Sequence, residues 1–573
     1  MTITLAAPLL LASALTWLDP AAVTPGQKGV CVTEWTGGQR IEIPVEVLGV
    51  LDATGPDKSA VLVRLADERF AGTGVVAGMS GSPVYVDGKL LGAVAFGWSF
   101  AREPLGGVTP FAAMHAITGG PTAPAPPPTL SSLASISTGD APLAAVLPRL
   151  APPAPGRALP LAVAGFDLPG GYGRELLATA GLEPVPAGGG PGPSGVPEAG
   201  DMVAALLVWG DATLAAGGTV TARDGDRVWA FGHPMFSLGG IRVPAARART
   251  LAVQSSYQSS FKVFTVGAPF GTFVADRAPG ILAMTGPVPE GLPVTVHLSE
   301  PLGERTWRFR VAEVPLLEPL LVTFLTNACL TARGAATGES TVQVTLTLDF
   351  ADGRSASIDQ ASRGFDALAR IATFTGAAVS FVENSPFPRP ALSGVDVRLR
   401  RSEAPEYAAI TDVWPTRSTV EPGDELVVNA RLAPFRGEAR DVSLTLRVPA
   451  GMPPGPADLI VGDGAAATDY RLKAAAVAPA DFAGQLAQLS LIEPNTTLVA
   501  ALETRERGIA LNGTSQPALP PSYAATLMIG LGKSNAARLQ SAIVAESRWT
   551  APFPLEGAFR IPITVRPPAP ESP

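Results

Sequence analysis

The sequence predicts a mainly β protein of several domains, and three observations carry that prediction. The chain of 573 residues contains 61 Gly and 58 Pro, so turn-formers punctuate it throughout. Apolar runs between them are short and often alternate with polar residues, the period of a strand with one buried face. Third, "PVYVDGKLLGAVAF" (83–96) joins two apolar runs through Asp87-Gly88, the residue pair that supplies the positive φ angles of a two-residue hairpin turn. A chain this long exceeds one hydrophobic core, which predicts three or four domains.

Taken in order, residues 1–18 open with "MTITLAAPLLLASALTWL", an apolar core of signal-peptide length and too short for a comfortable membrane span. Export to the periplasm, envelope or exterior is the expectation. A buried first strand or a lipid-facing anchor is the alternative, since no Lys or Arg flanks the start. Residues 19–118 read as a first β-barrel, from "GVCVTEW", "RIEIPVEVLGVL" and "AVLVRL" to the hairpin. Residues 119–200 are a Pro/Gly-rich linker with one short helix in "GYGRELLATAG". Strands resume over 201–360, a second β-rich half running from "DMVAALLVWGD" to "TVQVTLTLDF". Residues 361–393 form a helical connector, where "RGFDALARIATF" repeats apolar residues every three or four positions. From 394 to 566, "VDVRLRR", "DELVVNARL" and "DVSLTLRV" return to period two, the profile of an immunoglobulin-like β-sandwich, and 567–573 is a disordered tail.

Composition narrows the chemistry. Charged residues make up 16% of the chain and the net charge is -8, with no basic stripe for a nucleic-acid backbone. Cys31 and Cys329 match no metal-ligand spacing. They are either one disulfide or two buried thiols. Nothing points to a metal or an organic cofactor.

The segment "GMSGSP" (78–83) can expose a serine between glycines. A serine nucleophile needs an exposed hydroxyl, a base, and N–H donors aimed at the developing oxyanion. Ser80 can project while the amides of Gly78 and Ser80 point one way, a spacing similar to the serine loop of chymotrypsin-like peptidases. Ser82 competes, but Pro83 suits strand entry better. The chain has three histidines. His115 in "TPFAAMHAITGG" belongs to a short helix, His297 alternates with Val294 and Val296 in a strand, and His233 ends an apolar strand in "VWAFGHPM". A strand end can hold an imidazole toward a cleft, which makes His233 the best base. Asp67 is the candidate to orient it, with Asp276, Asp224 and Asp226 as rivals.

These residues resemble the SpoIVB serine peptidase family. The resemblance rests on "TGVVAGMSGSPVYVDGKLLGAVAF", with support from "KSAVLVRLADERF", "GTVTARDGDRVWAFGHPM" and "GAPFGTFVADRAPGILA". It implies a chymotrypsin-like double β-barrel in which Ser80 is the nucleophile, His233 the base and Asp67 the orienting acid, with Gly78 and Ser80 amides as oxyanion donors. The family's sporulation enzyme has its histidine before its serine, so here the halves stand in permuted order. The function so implied is an exported serine endopeptidase acting through an acyl-enzyme on a protein or peptide, its own linker included. The alternative is a non-catalytic envelope scaffold that retains the barrels to bind a partner.

Overall fold

In the computed structural model the described residues are 15–51, 59–98, 102–120, 159–168, 170–256, 260–333, 338–474, 479–504, 541–567 and short stretches between 509 and 538. Most of the expected leader, much of the expected linker and nearly all of the expected tail lie outside them.

Strands β1 (Lys28–Glu34), β2 (Arg40–Leu51), β3 (Ala60–Leu65), β4 (Pro83–Val86), β5 (Lys89–Phe96) and β6 (Leu105–Pro110) close into a barrel in the order β1-β2-β3-β6-β5-β4. Its interior is filled by the alternate residues that sequence periodicity selects, among them Ile43, Val45 and Val47 of β2 and Val61, Val63 and Leu65 of β3. Between β4 and β5 the turn is as expected: Asp87 and Gly88 have φ of 50° and 73°, and Val86 pairs with Lys89.

After β7 (Leu159–Ala164) and β8 (Leu182–Pro186), a second ring forms from β9 (Met202–Gly210), β10 (Thr213–Asp224), β11 (Arg227–Ala230), β12 (Gly239–Gln254), β13 (Phe261–Arg277) and β14 (Gly280–Thr285). Its order is β9-β10-β11-β14-β13-β12, closed by β12 on β9. Counted from its own first strand, each ring therefore runs 1-2-3-6-5-4. The expected double β-barrel is present, with the two rings made by residues 28–110 and 202–285.

The second ring opens into a longer sheet. Beyond β9 follow β16 (Gly303–Val311), β15 (Leu292–Glu300), β19 (Leu392–Ser402), β17 (Ser340–Phe350) and β18 (Ser355–Gly364), while β7 and β8 extend the other side from β10. β7, β8 and the helix Gly171–Thr179 show that the stretch read as linker also contributes strands to this sheet. β19, expected in the C-terminal sandwich, instead lies between β15 and β17. Its alternation marked it as a strand but could not name its neighbours. Helices Glu318–Thr331 and Ala367–Glu383 pack against each other and this sheet, so the second is a core element rather than a connector. From Ala408 onward a four-stranded and a five-stranded sheet share one core that includes Leu426, Val428, Leu444, Leu459 and Leu502.

Within the 1–18 stretch, Leu18 N–H donates to the Leu90 carbonyl at 2.9 Å and the Trp17 ring stands edge-on to Phe111. Both cysteines are buried and free. Among the described residues, no helix is long and apolar enough to cross a membrane.

Candidate active site between the two barrels

The serine loop connects the third and fourth strands of the first ring. It opens with a short turn, Glu68–Phe70, capped by the Asp67 carboxylate, which accepts from Arg69 N–H at 2.9 Å. Gly78 and Gly81 have φ of 95° and 98°, a left-handed region that a side chain would strain. Gly81 has a further reason to be glycine: a Cβ there would lie 1.9 Å from the Thr219 carbonyl oxygen and 2.5 Å from Phe231 N. The loop is pressed against the second ring.

That contact decides where the loop's polar groups point. β10 takes three carbonyls of the turn: Thr219 Oγ1 donates to Gly78 O at 2.8 Å, Thr219 N to Ser80 O at 2.7 Å, and Thr221 Oγ1 to Gly81 O at 2.7 Å. The amides of Ala77, Met79, Gly81 and Ser82 donate to the carbonyls of Ser260, Val76, Val94 and Met79. Among the described residues, the amides of Gly78 and Ser80 make no such bond. With the carbonyls held, these two N–H groups remain as donors beside a half-buried Ser80. Ser82, the competing serine, is fully buried and donates to Thr33 Oγ1 at 2.8 Å, so it is a structural hydroxyl.

His233 occupies the equivalent connection of the second ring, between its third and fourth strands. The chain reaches it through two residues with positive φ, Phe231 at 70° and Gly232 at 67°. Gly232 O accepts from Thr109 Oγ1 of the first ring at 2.6 Å, and a Cβ on Gly232 would lie 3.1 Å from Val94 O. Val94 O also receives the Gly81 amide at 2.7 Å. The serine and histidine loops thus meet around the end of β5. His233 is buried, with Nδ1 at 2.7 Å from the Pro234 carbonyl. A carbonyl can only accept, so the hydrogen of this contact lies on Nδ1.

The acids divide. Asp276, at the end of the second ring's fifth strand, is fully buried and accepts backbone N–H groups from Met235 and Phe236 at 2.7 Å and from Leu238 at 3.3 Å. It thereby fixes the turn that follows His233-Pro234. Burial pushes its carboxyl above the usual carboxylate range, with these backbone donors opposing. Asp67 engages Arg69 through both oxygens, and these hydrogen bonds hold its carboxyl below the usual range. Asp224 and Asp226 sit exposed in the β10–β11 turn. His297 bridges Thr306 and Asp396 at 3.0 Å, and His115 stacks between Trp17 and Trp229.

Sequence reading did not single out four further residues of this junction. Thr219 and Thr221 hold the loop carbonyls as described. Glu34 of β1 is buried and accepts from Thr250 N at 2.5 Å and Met202 N at 3.1 Å, tying the first ring to the second. Lys262, at the start of β13, is fully buried, with Nζ 2.9 Å from Thr33 Oγ1. The available signal was a lysine on the same strand face as Phe264, where alternation calls for an apolar residue.

Two closed rings of one topology, with a glycine-framed serine loop and a histidine loop meeting between them, define a double β-barrel of the chymotrypsin-like class. Residues 20–112 match the SpoIVB peptidase S55 family. The match spans the whole first ring and its serine loop, so this part of the chain is similar to the SpoIVB peptidases, a family whose name implies protein substrates. No curated protein and no solved structure matches the chain.

Proposed function

We propose that the protein is an exported serine endopeptidase in which Ser80 is the nucleophile and His233 the base. His233 Nε2 takes the Ser80 proton as Oγ attacks a peptide carbonyl. The tetrahedral oxyanion is met by the Gly78 and Ser80 amides. As the C–N bond breaks, the imidazolium returns its proton to the leaving amine, and water hydrolyses the acyl-enzyme with the same base. Asp276 supports the imidazole by holding the turn behind it, while Asp67 braces the entry to the serine loop. The Pro- and Gly-rich segments 119–160 and 186–195 are the candidate substrates for self-processing. Export is supported by the apolar start, with a cut after Ala12-Ser13-Ala14 leaving Trp17 and Leu18 in their seats.

The observation that carries this reading is the pair of unbonded amides, Gly78 and Ser80, flanking a half-buried serine while the carbonyls around them are tied down. The test is a fluorophosphonate probe with peptide mapping of the adduct. Labelling at Ser80 that falls by a factor on the order of 10⁴ in His233→Ala, with the variant still folded, is the expected result. A folded wild-type protein that takes no label would favour the binding scaffold instead.

A further inference from the structure

We propose that Lys262 is a positioning residue for the oxyanion-donating amides of the serine loop, acting from beneath it along the whole length of the turn. The inference rests on the serine-peptidase reading for its catalytic consequence, but its structural content stands alone.

Three parts of one side chain and backbone meet the loop at three levels. The Lys262 N–H donates to Ala77 O at 3.0 Å, and Ala77 N returns a bond to Ser260 O at 2.8 Å, so the strand leading to Lys262 pairs with the loop entry. The methylene stem then runs under Gly78: a Cβ there would lie 3.2 Å from Lys262 Cδ. The stem forms the floor on which the Gly78 peptide rests. Finally Nζ lies 2.9 Å from Thr33 Oγ1 and 3.5 Å from Thr219 Oγ1. Each threonine passes the contact on, since Thr219 donates to Gly78 O at 2.8 Å and Thr33 accepts from Ser82 Oγ at 2.8 Å.

The choice of lysine follows from the inventory of donors. Thr33 Oγ1 accepts from both Ser82 and Lys262, and Thr219 has given its one proton to Gly78 O. Two buried oxygens therefore need donors, and an ammonium is the side chain that offers several from a single point. A hydrocarbon of the same length would keep the floor but take one donor from each oxygen, leaving Thr33 Oγ1 with Ser82 alone and Thr219 Oγ1 with its own bond to Gly78 O but no donor. Burying the ammonium is itself costly. Glu34 and Cys31, both on β1, are the titratable groups that face it and favour its charged form. Because the Gly78 carbonyl is fixed through this chain, the orientation of the flanking amides depends on it. A misplaced oxyanion donor is known to cost a large factor in rate because donors must sit where charge develops.

The test uses Lys262→Met and Thr219→Val in the full chain, each checked for folding by thermal unfolding. The first reading is hydrogen exchange of the 74–82 peptide, which needs no activity. Both variants are expected to raise exchange there at least fivefold while other first-ring peptides stay unchanged. The second is fluorophosphonate labelling at Ser80, where the maximal rate is expected to fall at least tenfold with half-saturating probe concentration within twofold. The double variant should lose no more than the worse single one, because both act through one chain of contacts. Unchanged exchange at 74–82, or labelling losses that multiply, would overturn the role of Lys262. If wild type itself takes no label, the peptidase reading fails, and the exchange result still decides whether Lys262 orders the loop.

Discussion

The two rings share a strand order and place their distinctive loops at the same connection, yet they hold those loops by different means. The histidine loop is fixed mainly within its own ring, by Asp276 gathering the amides of Met235, Phe236 and Leu238, with Thr109 of the first ring adding one bond to Gly232 O. The serine loop is fixed largely by the other ring, through Thr219, Thr221 and Lys262. The difference teaches that a ring taken alone could keep a formed histidine loop but not a formed serine loop. Docking of the rings and ordering of the serine loop are therefore one event, and substitutions at the junction should separate the two loops.

The largest effect should come from Gly81→Ala. A Cβ at this position meets the Thr219 carbonyl oxygen at 1.9 Å, and φ is 98°. The backbone on both sides must move, at a cost of roughly 3 to 5 kcal/mol. Gly88→Ala is the control, because its φ of 73° is also left-handed but nothing lies within 4 Å; it should cost only about 1 kcal/mol. Urea unfolding of both variants measures the gap. Equal losses would mean that the serine loop does not rest on the second ring.

Much of this architecture was legible because it is written in local patterns. The Asp87-Gly88 turn, the alternation of β2 and β17, and the helices at Gly171–Thr179 and Ala367–Glu383 all follow from periodicity and turn chemistry. The helix Glu318–Thr331 did not, because it is buried on nearly all sides and so has no polar face to mark a period of 3.6. The neighbours of β19 were illegible for another reason: alternation specifies a face, whereas partner strands are set by the tertiary fold. At the site, Ser80 and His233 stand out as residue types with their own chemistry. Thr219 and Lys262 matter through partners more than 100 positions away, except for Thr219 with Lys262 itself at 43, which no local window displays.

A middle-sized effect should distinguish Asp276 from Asp67. In Asp276→Asn the amide N–H₂ faces backbone donors it cannot serve, so the histidine loop should lose about 2 kcal/mol and labelling at Ser80 should drop with it. Asp67→Asn keeps a good cap for the short turn and loses only a partly exposed pairing with Arg69, worth under about 1 kcal/mol. The comparison is read from labelling rates at matched stability. If Asp67→Asn instead lowered the rate by a factor on the order of 10⁴, the orienting acid would lie in the serine ring, and the contrast between self-held and partner-held loops would need redrawing.

The smallest effect is a pH signature confined to the serine side. Burial pulls the Lys262 ammonium from its ordinary 10.5 down to about 8, with Glu34 and Cys31 opposing. The folded protein then releases this proton earlier than the unfolded chain does. Between roughly pH 8 and 10.5 the unfolded state binds more protons, so stability rises with pH in that window and the burial penalty is fully present below it. Cys31 acts with the opposite sign: burial raises its thiol from 9.0 to about 12, so above pH 9 the folded state holds the extra proton and stability falls. The two contributions overlap above 9, which leaves pH 8 to 9 as the interval where Lys262 acts nearly alone. Over it, wild type should gain about 1 kcal/mol relative to Lys262→Met, measured as the difference in urea-unfolding free energy at the two pH values. A difference that stays flat across this interval would mean that the ammonium is not held in the buried setting that links it to the serine loop.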